Sequence, residues 1–263
     1  MTFSFDLISD LHVESWNKKF NWDLQATSPY CIVAGDITQD RALLIDTLEQ
    51  LGEVYSAVFY IDGNAEHKDY YGNLSQSYTE LVALTNPIPN VVYMQDNVVI
   101  INGIAILATN GWWTYDFDTN LDLEQSVFWL QEKEKINQRD ALEMSGVAYH
   151  DAAYLSNSVK KLQTQNDVKK IVLVTHTVPS PWIIEHDIEL IDTWRFNSMG
   201  NQRMDMVLAE DTEKKIAMWC FGHYHMPIDT IKNNIRYVSH PRGRGNTIYS
   251  QSVYYPKRIE IKL

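Results

Sequence analysis

Short apolar runs, each closed by a turn signal, recur along the chain. The run over 3–8 leads into Ser9-Asp10, and Tyr30–Ala34 leads into Gly35-Asp36. Ala57–Ile61 leads into Asp62-Gly63-Asn64, the run over 171–174 into Thr175-His176, and Ile216–Phe221 into Gly222-His223. Val91–Tyr93, 98–101 and Ile104–Ala108 read as three more strands. The last two are joined by Asn102-Gly103, whose tolerance of positive φ suits a two-residue hairpin. Ile228–Lys232, 234–238 and 258–263 close the chain as strands.

Between these runs the period changes. Residues 40–51 place Leu43, Leu44, Leu48 and Leu51 near a 3.6-residue repeat, which predicts a helix. Similar patterns predict helices over 67–84, 123–137 and 147–165. Strands alternating with helices predict an α/β fold, with 1–263 as a single domain. Segments 112–146 and 179–201 interrupt the rhythm with aromatics and charges and are expected to be lids. For Trp112, Trp113, Tyr115, Trp182 and Trp194 within them, burial against the body is the ordinary expectation and stacking on a nucleobase the functional one.

Composition narrows the functional classes. The 263 residues are 45% hydrophobic, enough for a sizeable core. A net charge of −12 argues against a long nucleic acid as partner. Cys31 and Cys220 both lie inside apolar runs and read as buried thiols. The first residues carry no basic leader and no run reaches the length of a membrane span, so a cytoplasmic protein with no membrane partner is expected.

The candidate chemistry lies at the strand ends. Loops after parallel strands converge on one edge of a sheet, and here those loops carry Asp10, Asp36, Asn64, His176 and His223. If Asp10-Leu11-His12 is extended, its period of two points both ligands to one side, where they can chelate one ion. His223-Tyr224-His225 repeats the spacing, and a turn there could send the two imidazoles to different ions. Imidazole, carboxylate and amide oxygen together suit Mn, Fe, Zn or Co better than a thiolate-seeking ion. Two such ions held by one bridging carboxylate, for which Asp36 is the candidate, form a clamp for in-line attack on phosphorus.

The order Asp10-x-His12, Gly35-Asp36, Gly63-Asn64-x-Glu66, Thr175-His176, Gly222-His223-x-His225 resembles that of the calcineurin-like metallophosphoesterases. The resemblance implies a four-layer sandwich of two packed mixed β-sheets flanked by helices. It implies two divalent or trivalent metal ions, one on Asp10, His12, Asp36 and His225 and the other on Asp36, Asn64, His176 and His223. Asp36, Asn64 and His176 would be the catalytic group, with a metal-bridging hydroxide attacking the phosphorus of a small phosphoester. Ser239-His240-Pro241-Arg242-Gly243 resembles an Asn-Pro-Arg-Gly segment of one bacterial subgroup, with His240 in place of the Asn.

The chain departs from the family at Ala65, where the pattern has a His that protonates or steadies the leaving oxygen. Such a loss costs about 10²–10⁴ in rate. A phosphodiester or nucleotide-type substrate is therefore favoured. A phosphomonoesterase and a catalytically impaired binding protein are the alternatives. His67 is the nearby imidazole that could reach back, against an expected surface position. Arg242, His67 and Trp113 are the candidate substrate contacts. His150 reads as a helix-face residue, His186 as a surface one, and Glu66 as an anchor for the loop and not a ligand.

Overall fold

The computed structural model describes residues 2–17, 21–22, 25–68, 73–117, 128, 141–190, 195–245, 247 and 253–263. Trp194 and, apart from residue 128, the predicted helix over 123–137 lie outside them.

Eleven strands form among the described residues: β1 (Thr2–Ile8), β2 (Tyr30–Ala34), β3 (Ala57–Ile61), β4 (Val91–Tyr93), β5 (Asn97–Ile101), β6 (Ile104–Ala108), β7 (Lys170–Val174), β8 (Ile216–Phe221), β9 (Ile228–Lys232), β10 (Ile235–Ser239) and β11 (Lys257–Lys262). Each lies within two residues of an expected run. Most of the apolar side chains that define the runs are buried, while Val98, Ile100 and Ile231, on the edge strands β5 and β9, are exposed.

The strands make two mixed sheets. One has the order β11-β1-β2-β3-β4, with β11 antiparallel to β1 and the rest parallel. The other has the order β5-β6-β7-β8-β10-β9, parallel in its centre with an antiparallel strand at each edge. The β5–β6 hairpin turns at Asn102-Gly103, with φ of 50° and 81°. The inner faces meet in one apolar layer. Phe5, Leu7, Ile32 and Phe59 come from the first sheet, and Ile106, Val172, Met218 and Val238 from the second.

Helices cover the outer faces. α1 (Arg41–Val54) starts at Asp40, whose side chain caps Ala42 N and Leu43 N, and packs Leu44, Leu48 and Leu51 on the first sheet. α2 (Leu74–Thr85) starts with an Asn73/Gln76 capping box, so helix begins later than the 67 expected from periodicity. α3 (Ala141–Gln163) begins earlier than expected and packs Ala152, Leu155 and Val159 on the second sheet. A short α4 (Asp205–Ala209) contributes Val207. This is the expected four-layer α/β sandwich.

Cys31 and Cys220 are buried and free. No helix among the described residues is long and apolar enough to cross a membrane.

Candidate metal centre

Asp10, Asp36, His176 and His223 each sit two residues beyond the end of a strand (β1, β2, β7 and β8), and Asn64 sits three beyond β3. The turns are zipped to one another by backbone hydrogen bonds. Asp10 N donates to Gly35 O (2.9 Å), His12 N to Asp36 O (3.1 Å), and Gly222 N to His176 O (2.8 Å). Loops from both sheets therefore converge on one place.

Two groups of ligand atoms result. Asp10, His12, Asp36 and His225 form one, and Asp36, His176 and His223 the other, with the atoms of each within 4.8 Å of one another. Asn64 joins the second through Oδ1, 3.1 Å from His176 Nε2. All seven sequence candidates are brought together, and Asp36 belongs to both groups. His223 and His225 fall into different groups, as a turn between them allows.

The route for Asp10 and His12 corrects the sequence reading. The segment is not extended: Asp10 has φ of 49° and His12 of 41°. Both are left-handed residues, held by the backbone zipper to 35–37, and they reach a common point through a turn.

The tautomers test whether cations fit. His176 Nδ1 lies 2.9 Å from Ala34 O, and His223 Nε2 lies 3.0 Å from Ser198 O. A carbonyl can only accept, so each of those nitrogens carries the hydrogen. The inward atoms, His176 Nε2 and His223 Nδ1, then present lone pairs to each other at 3.2 Å. That contact repels unless a proton or a cation joins it. In the other group, His12 Nε2 and His225 Nε2 approach to 3.0 Å. Asp10 Oδ1 accepts from His223 N (2.9 Å), while the buried Oδ2 is left with no hydrogen bond. Facing lone pairs and an orphaned carboxylate oxygen are what a cation site looks like without its charge.

The ionisation states agree. Burial pushes Asp10 up, but His225, His176 and His12 outweigh it and hold the carboxyl well below its usual range. Burial also opposes ionisation of Asp36, and His176 and His12 again win. Burial and the neighbouring His176 charge push His223 down to about 3, so it is neutral. For His176, burial alone would lower the pKa, but Asp36 and Asp10 reverse it. Negative charge thus collects on the shared floor.

Glu66 holds that floor in shape, as an anchor. It is fully buried and accepts from Gly63 N (2.7 Å), Ile37 N (2.6 Å), Asp36 N (3.3 Å) and Thr38 N (3.4 Å). Burial and the Asp36 charge push its carboxyl up to about 8, against those donors. Gly63 has no room for a side chain: a Cβ there would fall on Asp36 Oδ1 and 2.8 Å from His176 Cε1.

The three candidate substrate contacts fare differently. His67 is neither a surface residue nor turned toward the ligands. It is buried, with Nε2 2.7 Å from Asp62 Oδ2 and Nδ1 2.7 Å from Ser77 Oγ. Both ring nitrogens are spent, so it does not replace the imidazole missing at Ala65. Trp113 is buried and stacked on His223 at 5.7 Å and 20°, which makes it a wall behind that ligand instead of an open platform. Arg242 is half-buried with its guanidinium 4.1 Å from the Trp16 ring. Its loop pairs with the first ligand turn through Arg242 N to Ser9 O and Gly243 N to Asp10 O.

Sequence reasoning missed several supporting residues. Asp151 on α3 accepts from Gly111 N, Trp112 N and Thr109 Oγ1, and so positions the loop that carries Trp113. It also lies near Asp96 and His150 in a third His/Asp group, where those donors already occupy it. Asp62 and Asn110 were missed although they stand one residue beyond β3 and two beyond β6. Ser198, which orients His223 through its carbonyl, left no signal at all. Among the other expectations, His186 is exposed, and His150 is an exposed residue of α3.

No family model matches the sequence, and no curated protein matches it either. The structure does have counterparts. A phosphopantetheinyl hydrolase from Mycobacterium tuberculosis aligns with a TM-score of 0.66 at 18% identity, over 91% of this chain and 89% of that one. The chain shares the fold of that hydrolase. A putative 5'-nucleotidase from Staphylococcus aureus shares it, with a TM-score of 0.55 at 13% identity over all of this chain. Only 51% of that protein is covered, so this chain spans about half its length. In this fold the two ligand groups are built from loops that follow strands of both sheets.

Proposed function

We propose that this chain is a metal-dependent phosphoester hydrolase for a small substrate, with a phosphodiester or nucleotide-type ester favoured. The observation that carries the reading is the pair of adjoining His/Asp groups that share Asp36. Asp10, His12, Asp36 and His225 would hold one cation, and Asp36, Asn64, His176 and His223 the other. Two cations there would supply Lewis acidity, drawing charge from phosphoryl oxygens and lowering the pKa of water toward neutrality.

The chain's own residues prepare this. The carbonyls of Ala34 and Ser198 keep the Nδ1 hydrogen on His176 and the Nε2 hydrogen on His223, so both lone pairs face inward. Ala65 N donates to Asp36 Oδ1 (2.8 Å), and Glu66 pins the backbone on either side. Four of the ligands, Asp10, His12, Asp36 and His176, are nearly or fully buried, which keeps bulk water from screening their charge.

No imidazole serves the leaving group at position 65, and His67 is committed to Asp62 and Ser77. That favours substrates whose leaving oxygen departs without a strong acid. The decisive experiment measures hydrolysis of an aryl phosphodiester and an aryl phosphomonoester with Mn²⁺, beside metal analysis of the purified protein. We expect about two ions per chain, by analogy with two-metal phosphoesterase sites, and faster diester cleavage. A clear monoester preference removes the diester reading. Two bound ions with no turnover on a broad phosphoester panel would favour a binding role, the alternative that Ala65 raises.

A further inference from the structure

The candidate ligands come from both sheets: Asp10, His12, Asp36 and Asn64 from loops of the first, His176, His223 and His225 from loops of the second. Something must fix the spacing between the sheets at this edge, because the apolar layer between them is non-directional. Asn110, two residues beyond β6, touches both sides. Its side-chain Nδ2 donates to Asp62 O (3.0 Å) and to Asp62 Oδ2 (2.7 Å), at the end of β3 and two residues before Asn64. Its backbone oxygen accepts from His176 N (2.8 Å) and Thr177 N (3.3 Å). One residue thus grips the Asn64 loop with its amide and the His176 turn with its main chain.

Asp62 is a firm anchor for that grip. Its buried carboxylate is also held by Tyr93 OH (2.5 Å) and His67 Nε2 (2.7 Å). The amide orientation follows from chemistry, since reversing it would set an oxygen against the carboxylate. It leaves Asn110 Oδ1 buried with no hydrogen bond. A buried acceptor without a partner is unfavourable, and its retention here needs a reason beyond packing.

We infer that Asn110 is a positioning residue for the cation group of Asn64 and His176, acting as a clamp between the two sheets. The inference rests on the metal reading above. In the other group, Asp10, His12 and His225 make no hydrogen bond to Asn110 or Asp62 among the described residues, so the group that they form with the shared Asp36 should be little affected.

The test is titration of metal-stripped protein with Co²⁺, read by calorimetry and by the visible absorption of the bound ion. Asn64→Ala marks which binding step belongs to the Asn64 group. Asn110→Ala should weaken that same step by about 10–100-fold, the usual cost of losing a residue that orients ligands, and leave the other step within about threefold. Asn110→Leu, similar in shape and free of the orphaned oxygen, keeps the test valid if the alanine variant folds poorly, and should give the same selective loss. Equal weakening of both steps, or wild-type affinities in Asn110→Leu, overturns the clamp while leaving the metal reading intact. Wild-type protein that takes up no Co²⁺ overturns the metal reading and the clamp with it.

Discussion

Replacing His225 by glycine should leave the metal-free protein more stable than replacing it by alanine. Five of the seven candidate ligands, Asp10, His12, Asp36, His223 and His225, have φ between 41° and 67°. A residue with a Cβ loses about 1–2 kcal/mol in that region, and such strain persists only where the surroundings over-determine it. His225, at φ of 60° with a quarter of its side chain exposed, is the best place to measure the cost. Both variants lose the same imidazole, so its contacts with Asp10 and His12 cancel in the comparison. Glycine escapes the steric cost but gives the unfolded chain more freedom, worth about 0.4–1 kcal/mol in favour of alanine. The net expectation is His225→Gly above His225→Ala by about 1 kcal/mol. At an ordinary helical site such as the exposed Glu49 in α1 the order reverses, with alanine ahead by about 1 kcal/mol. Urea unfolding in EDTA, followed by tryptophan fluorescence, reads both pairs; by heat the His225 pair should differ by about 2 °C. If alanine is the more stable at position 225 as well, the ligand turns are not strained and the argument fails.

Two further substitutions probe other parts of the site and its surroundings. Gly63→Ala puts a methyl on Asp36 Oδ1 and against His176, the contact shared by both ligand groups. Metal affinity should fall at least about tenfold, and wild-type affinity by calorimetry would show that the turn has slack the structure does not. Asp96 is raised to about 6, by burial and then by the charge of Asp151. Its folded pKa lies above the unfolded one, so its contribution is fully present near pH 4 and lost as pH rises through about 6. Asp96→Asn, which tolerates the φ of 52°, should therefore gain about 1 kcal/mol at pH 8, after discounting for partial exposure, and nothing at pH 4. Equal effects at both pH values would exclude this titration as the cause.

Much of the molecule was legible in the chain because its signals are local. A strand's apolar run and the Gly, Asp or Asn after it are adjacent in sequence, so Tyr30–Ala34 with Gly35-Asp36 identifies both an element and a ligand. Five of the seven ligands stand in the turns that follow such runs, and His12 and His225 follow from the two-residue spacing to Asp10 and His223. His67 was misread because its burial depends on Asp62 and Ser77, and Ser77 belongs to another element. Trp113 was offered to a substrate because nothing in an aromatic residue tells that His223, 110 residues later, will stack on it. Asn110 looks like any polar residue that closes a strand.

The sequence by itself determined which segments become strands and which side chains stand at their ends, since local period and turn chemistry suffice for both. The tertiary structure decided how those ends meet. Hydrogen bonds between distant turns place Asp10 and His12 in left-handed conformations, and carbonyls from Ala34 and Ser198 choose the nitrogens that face inward. Those choices depend on contacts between residues far apart in the chain, and no local pattern encodes them.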